Sequence, residues 1–363
     1  MGGVWCEPVP PRKNIYHVGT AHRDQVTVDR YGGRRGGAMH AIESPTVLHH
    51  RYQIVRLIGE GSTGRVYAAL DLSLQTYVAL KQLTRMGERH DRAFEREARI
   101  LARLRHAGLP VVSDYFRDEY GTFLVMDLVA GDDLAELVAQ HGALDERAAL
   151  RIADQLLEIL TYMHGQQPPV LHRAIKPHDI RLLADERVVL LDFGLASDRP
   201  AGASPATPSQ SSLNPYSRSL WYAPPELLYR RPLDARSDLY ALAATLYLLL
   251  TGQAPPSTGE RAACLVAHQP DPLLLASALR PHVSAEVSEI LAHALALSPD
   301  ARTPSALAMR QALHNTPIGR HLWGQPAAPP AAPDITPRVV STAIILLGIG
   351  LGVLLLLALL LAR

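Results

Sequence analysis

Several short clusters in this chain have the residue types and spacing for chemistry on phosphate groups. Gly59, Gly61 and Gly64, with Val66, read as G-x-G-x-x-G-x-V between two strand-like runs. Glycines also make plain hairpins, and a dinucleotide-binding turn would need a helix after the strand. Here a second strand follows, so the loop is a β-hairpin whose backbone amides can fold over phosphates. Fifteen residues past Val66, Val78-Ala79-Leu80-Lys81 puts a lysine at the end of an apolar strand. Phe94-Glu95-Arg96-Glu97-Ala98 then opens a helix from which Glu97 can pair with Lys81; otherwise Glu97 is an exposed helix acid. Farther on stand His172-Arg173-Ala174-Ile175-Lys176-Pro177-His178-Asp179, Asp192-Phe193-Gly194 and Pro224-Pro225-Glu226.

The elements around these residues divide in two. Residues 52–58, 65–71, 77–83, 111–116 and 122–126 are short β-rich runs, and 92–104 is helix-like, which predicts a small sheet with one helix. Residues 132–315 are mostly helical. Asp145 caps a run whose Ile152, Leu156, Ile159 and Met163 share one face, and 237–250 is apolar enough for a buried central helix.

In this order and spacing the motifs resemble those of the eukaryotic-like (Hanks-type) Ser/Thr protein kinases, the bacterial membrane-bound kind most closely. The resemblance runs roughly from Tyr52 to Leu313 and also takes in Asp238, similar to the buried aspartate that supports the catalytic loop, and Arg302, similar to the late arginine that pairs with Glu226. It implies an α+β, bilobal kinase-like fold over 51–315, with a β-rich N-lobe (51–130) and a larger α-helical C-lobe (131–315). It also implies ATP and Mg²⁺ as ligands. The glycine loop would cover the phosphates, with Val66 and Ala79 beside the nucleotide, and Lys81 would hold the α- and β-phosphates while paired with Glu97. Asp192 would ligate Mg²⁺, Met126 would be the gatekeeper, and Asp127 to Val129 the hinge that bonds adenine through its backbone. Eight Ser or Thr lie between Gly194 and Pro224, where phosphorylation would pair with Arg173; the bland alternative is a flexible Ser/Pro-rich loop.

The chain departs from the family in the catalytic loop. Where the family has H-R-D-x-K-P-x-N, the proton-accepting aspartate is Ala174 and the metal-binding asparagine is Asp179. A general base is worth about 10² to 10⁴ in rate. Lys81, Lys176 and Asp192 still supply positioning and charge neutralisation, and a carboxylate at Asp179 is at least as good a Mg²⁺ ligand as an amide. Arg181 stands at or near a position that in many kinases is an apolar floor under adenine, where its stem can pack with the guanidinium in water. Two readings follow: a nucleotide-binding pseudokinase that engages a regulatory partner, or a slow or partner-activated Ser/Thr kinase that phosphorylates a protein. A purely structural tether would predict decay of the glycine loop and Lys81.

Composition bounds the setting. Lys plus Arg number 36 against 35 Asp plus Glu, a net charge of +1, so no global field draws in nucleic acid. The 47% hydrophobic content excludes wholesale disorder, and two distant cysteines, Cys6 and Cys264, give no disulfide framework, which suits a reducing compartment. Residues 1–50 lack hydrophobic periodicity and read as a disordered or weakly ordered lead-in without a secretory signal. Residues 316–338 read as a linker, with five prolines between 324 and 337. Residues 339–362 carry no charge over 24 positions, enough for a helix to span the bilayer. That predicts a single-pass tail anchor with the kinase-like domain in the cytoplasm. Gly348 and Gly352 form a G-x-x-x-G that can bring two such helices together as a homodimer; glycines are also simply common in membrane helices.

Overall fold

The computed structural model describes residues 41–60, 64–83, 95, 98–192 and 220–324. Six strands, β1 (Val47–Leu48), β2 (Tyr52–Glu60), β3 (Gly64–Asp71), β4 (Thr76–Leu83), β5 (Val112–Asp118) and β6 (Gly121–Asp127), form an antiparallel sheet in the order β1-β2-β3-β4-β6-β5. Side-chain alternation decides its faces. Val78 and Leu80 of β4 pack with Ile54, Tyr67, Phe116, Phe123 and Val125 in one apolar cluster, which leaves Ala79 and Lys81 on the opposite face. Within that cluster the rings of Tyr52, Phe116 and Phe123 stack at centroid separations of 5.3 and 5.1 Å, and the Tyr52 hydroxyl donates to Asp114 Oδ2 at 2.7 Å.

Ordered structure begins earlier than the sequence suggests. Residues 41–50, expected within the disordered lead-in, are folded: Ile42 and Leu48 are buried, and the Ile42 N–H donates to Tyr67 Oη at 3.1 Å. Two inward-facing residues are too few to register as a period. The helix expected over 92–104 ends at Leu101, because the N–H groups of Arg103 and Leu104 reach back only three residues, to Ile100 O and Leu101 O. Residues 92–94 and 96–97, with Glu97 among them, lie outside the described residues.

The larger lobe contains α1 (Leu134–His141), α2 (Glu146–His164), α3 (Pro225–Leu228), α4 (Ala235–Thr251), α5 (Thr258–Val266), α6 (Ala276–Leu279), α7 (Ala285–Ala294), α8 (Ala306–His314) and α9 (Pro317–Trp323). A small antiparallel sheet, β7 (Asp132–Asp133), β8 (Ile180–Leu182) and β9 (Val188–Leu190), joins it to the first lobe. Asp145 caps α2 by accepting the N–H groups of Arg147 and Ala148, and Ile152, Leu156, Ile159 and Met163 are all buried, as the periodicity requires. Helix α4 is the hub. It starts in an Asp234/Ser237 capping box, stops at left-handed Gly252 (φ 76°), and buries residues on every side. Helix α9 occupies the start of the expected linker: Thr316 Oγ1 accepts the Gly319 N–H at 3.0 Å and Trp323 stacks on His314 at 4.3 Å. Among the described residues no helix is long and apolar enough to cross a membrane; residues 339–362 lie outside them.

Candidate functional site

A cleft forms where the two sheets confront each other. On the upper sheet Ala79 and Lys81 face away from the apolar cluster, with Val66 opposite Lys81 and Met126 opposite Ala79 in register. On the lower sheet Ile180, Leu182, Val188 and Leu190 pack into the core of the large lobe, so Arg181 and Val189 turn the other way. The buried Lys81 ammonium crosses the gap and bonds Asp192 Oδ1. The surrounding protein pushes the Asp192 carboxyl up by desolvation, but the charge and hydrogen bond of Lys81, and then Lys176, hold it below the usual range.

The loop entering this cleft is pinned from below. Arg173 sits at φ 69° and Asp192 at φ 60°, left-handed conformations that cost a non-glycine residue about 1 to 3 kcal/mol unless the surroundings impose them. For Arg173 they do: Asp238, buried near the start of α4, accepts its N–H at 2.7 Å through Oδ1 and the His172 N–H at 2.8 Å through Oδ2. The His164 Nε2–H donates to the same Oδ2 at 2.9 Å. His172 in turn donates from Nε2 to Leu191 O at 2.8 Å, which ties the loop to the residue before Asp192. Burial lowers the His172 imidazole pKa against the opposing pull of Asp238, which favours the neutral ring.

Asp179 is the group under most electrostatic stress. Its carboxylate is buried, Oδ1 lies 3.4 Å from Lys176 Nζ, and Oδ2 has no hydrogen-bond partner among the described residues. Burial, and next the charge of Asp192, drive its pKa well above the carboxylate range, against Lys176 and Lys81. An anionic oxygen buried without a donor is costly, and a cation shared between Asp179 and Asp192 would relieve it. Among the described residues no third His, Cys, Asp or Glu completes a protein-only cage. Two carboxylates fit Mg²⁺, which keeps several waters and binds phosphate oxygens.

The other expected site residues fall around this centre. Gly59 and Gly64 flank the hairpin tip, while Gly61 and residues 193–219 lie outside the described residues. Lys81 bonds Asp192, and Glu97, its expected partner, lies outside the described residues. Met126 is half-buried against the core, and Asp127 ties to Val111 twice, its N–H donating to Val111 O at 3.1 Å and its Oδ2 accepting the Val111 N–H at 2.9 Å. Of the hinge residues Asp127 to Val129, Asp127 therefore has its amide already engaged. A Cβ on Gly64 would collide with the backbone carbonyl oxygen of Gln82, whereas nothing lies within 4 Å of one on Gly59. Gly64→Ala is expected to destabilise the fold by about 1 to 3 kcal/mol, read as a lowered Tm, and Gly59→Ala to leave Tm unchanged.

Two residues escaped the sequence reading. His164 fills an inward position in the last turn of α2, a polar interruption of an apolar face that was its only signal. Asp133 caps α1, accepting the Glu136 N–H at 2.7 Å, and its Oδ2 lies 3.5 Å from Arg181 Nη1. The Arg181 guanidinium is thus paired with a carboxylate rather than left in water. An acid just before an apolar helical run was the available cap signal.

The sequence pattern of the family described as "Protein kinase domain" matches residues 52–316. Serine/threonine-protein kinase B of Synechocystis sp. (strain ATCC 27184 / PCC 6803 / Kazusa) is 35% identical over 223 residues, covering 57% of this chain and 38% of that protein. Serine/threonine-protein kinase pkn3 of Myxococcus xanthus is 32% identical over 276 residues, covering 73% of this chain and 50% of that one. The chain thus spans half or less of the length of these curated relatives. In structure it is similar to the crystallised kinase domain of Mycobacterium tuberculosis PknI, with a TM-score of 0.58 at 28% identity over 76% of this chain and 99% of that one.

Proposed function

The chain belongs to the protein kinase family, among bacterial Ser/Thr kinase relatives, and on that premise we propose that it binds ATP with Mg²⁺ in the cleft and acts in signalling at the cytoplasmic face of a membrane, with phosphotransfer suppressed by Ala174. The observation that carries this reading is the contrast between Ala174 and its surroundings. Lys81, Asp192 and the Asp179 oxygen that has no hydrogen-bond partner among the described residues support a nucleotide and metal site, while the loop beside them, held by Asp238, carries a methyl group where a base belongs. Bound Mg²⁺ would neutralise phosphate charge; Asp179 and Asp192 would hold it, Lys81 would orient the phosphates, and Lys176 would add positive charge beside them. A second reading, a slow Ser/Thr kinase, is supported by Lys176, which stands 3.4 Å from Asp179 with its charge in place.

Calorimetry on the solubilised full chain tests the site. Wild type is expected to bind MgATP, Asp192→Ala to lose it, and Asp179→Asn to need more Mg²⁺. The sign of the pH effect follows from the raised Asp179 carboxyl. Protonation is favoured in the folded state, so this group costs stability as pH rises from its unfolded value through its folded one, and Mg²⁺ must displace the proton. Mg²⁺ affinity should therefore strengthen with rising pH in wild type and flatten in Asp179→Asn, which should also be the more stable metal-free protein at neutral pH. An unchanged pH slope in that variant would remove Asp179 from the metal site. The uncharged residues 339–362 support the anchor. Carbonate-resistant membrane fractionation is expected for the full chain and lost on truncation at residue 338; soluble full chain would overturn the anchoring.

A further inference from the structure

We propose that the segment 41–48 is a strap that sets the position of Lys81, acting through Tyr67 and Gln82 as positioning residues. The inference rests on the nucleotide-binding reading above and deepens it.

Gln82 is out of place by its type. It follows Lys81 in β4 and shares the side of the strand that puts Val78 and Leu80 in the apolar cluster, yet it is polar and buried. A buried amide is costly unless its donors and acceptors are matched. Here Tyr67 Oη donates to its Oε1 at 3.2 Å, and its Nε2 donates to Tyr120 O, in the turn between β5 and β6, at 2.8 Å. The ladder between β4 and β6 ends at the Gln82–Phe123 pair, so this side chain carries the tie past the last paired residue. Neighbouring residues of a strand point to opposite faces, so β4 cannot roll about its axis and swing Lys81 without dragging Gln82 from these bonds. The grip on one face aims the ammonium on the other, where it meets Asp192.

Tyr67 passes that grip to the strap. A phenol has one hydrogen, and Tyr67 gives it to Gln82. Its oxygen then accepts the Ile42 N–H at 3.1 Å, a buried bond between residues 25 positions apart. The strap is held along its length: Ile42 and Leu48 lie in the apolar cluster, the Ser44 hydroxyl donates to Ile54 O at 3.1 Å, the Ile54 N–H donates to Thr46 O at 2.8 Å, and Leu48 pairs with Tyr52 in register. With two apolar anchors it opens at less cost than the sheet beneath it. Lifting it takes the Ile42 N–H from Tyr67 and loosens the hold on Gln82. Strap docking and phosphate binding are therefore linked, and by reciprocity bound MgATP holds the strap down.

Calorimetry on the solubilised full chain with MgATP, magnesium tripolyphosphate and adenosine separates the aim of Lys81 from the integrity of the fold, because Lys81 acts on phosphates and adenosine has none. Gln82→Met, which fills the same volume with neither bond, and Tyr67→Phe, which loses one hydroxyl, are each expected to weaken MgATP and tripolyphosphate about fivefold and to leave adenosine unchanged. Gln82→Met should add nothing in Lys81→Met, where no ammonium is left to aim. Ile42→Asp, which expels the strap from the apolar cluster, should match Tyr67→Phe, and amide exchange at Ile42 in wild type should slow when MgATP is added. Equal losses for adenosine, or a full Gln82→Met effect in Lys81→Met, would reduce the network to structural support and overturn the proposal. Unchanged MgATP binding in Gln82→Met overturns the positioning of Lys81, and unchanged binding in Ile42→Asp, or unslowed exchange at Ile42, overturns the strap. A wild type that binds no MgATP overturns the nucleotide reading itself, and this inference with it.

Discussion

Ala174→Asp is expected to raise ATP-dependent phosphate incorporation, into the protein itself and into a generic Ser/Thr substrate, by about 10²- to 10⁴-fold. The scaffold for that carboxylate is in place. Residue 174 is exposed, so the added atoms displace nothing, and its backbone is fixed on both sides: Arg173 by its N–H bond to Asp238, Ile175 by burial at 1% exposure. The new group would project beside Lys176, whose charge favours the ionised form. The gain should vanish in Ala174→Asp/Asp192→Ala, which distinguishes phosphotransfer through the metal site from contaminating activity. Should wild type already work within tenfold of Ala174→Asp, the slow-kinase reading replaces the silent one. If Ala174→Asp binds MgATP as tightly as wild type yet transfers nothing, Ala174 is not what silences the chain.

The chemistry of this site was legible because it is written in local patterns. The apolar strand Val78-Ala79-Leu80 marked Lys81 at its end, the capped apolar period of α2 and the apolar run of α4 marked the large lobe, and Glu226 meets Arg302 as the resemblance implies. What was not legible depends on distant pairing. Nothing in the sequence near Lys81 announces its bond to Asp192, 111 positions away. His164 and Asp133 matter through one bond each to groups brought near by the fold. Residues 41–50 and α9 were hidden for a related reason: short segments with one or two buried side chains are held by tertiary contacts, such as Tyr67 with Ile42 and His314 with Trp323, and carry no period of their own.

Arg302→Ala is expected to destabilise the protein by about 3 to 5 kcal/mol, the cost of breaking a buried ion pair from one side. Arg302 and Glu226 are both buried, and the guanidinium is fully committed: to both Glu226 oxygens at 2.6 and 2.9 Å, and to the carbonyls of Ala296, Leu297 and Arg236, with its Cζ 4.9 Å from the centroid of the Tyr240 ring. Removing it leaves Glu226 with the Ser237 hydroxyl, at 2.6 Å, as its remaining side-chain donor among the described residues. Lysine cannot reach so many acceptors, so Arg302→Lys should recover only part of the loss. The pH dependence identifies the cause. Burial pushes the Glu226 carboxyl up, but Arg302 and Ser237 hold it below its ordinary value, so in wild type it contributes stability above the unfolded pKa that is lost as pH falls through the folded one. Without Arg302 the burial effect prevails and the carboxyl rises, so the variant loses less on acidification. The stability gap in urea unfolding should therefore be widest near neutral pH and narrow toward pH 4. A gap independent of pH would mean that the cost comes from lost packing against Tyr240 and the carbonyls, and Arg302→Met, which refills that volume, would then restore most of it.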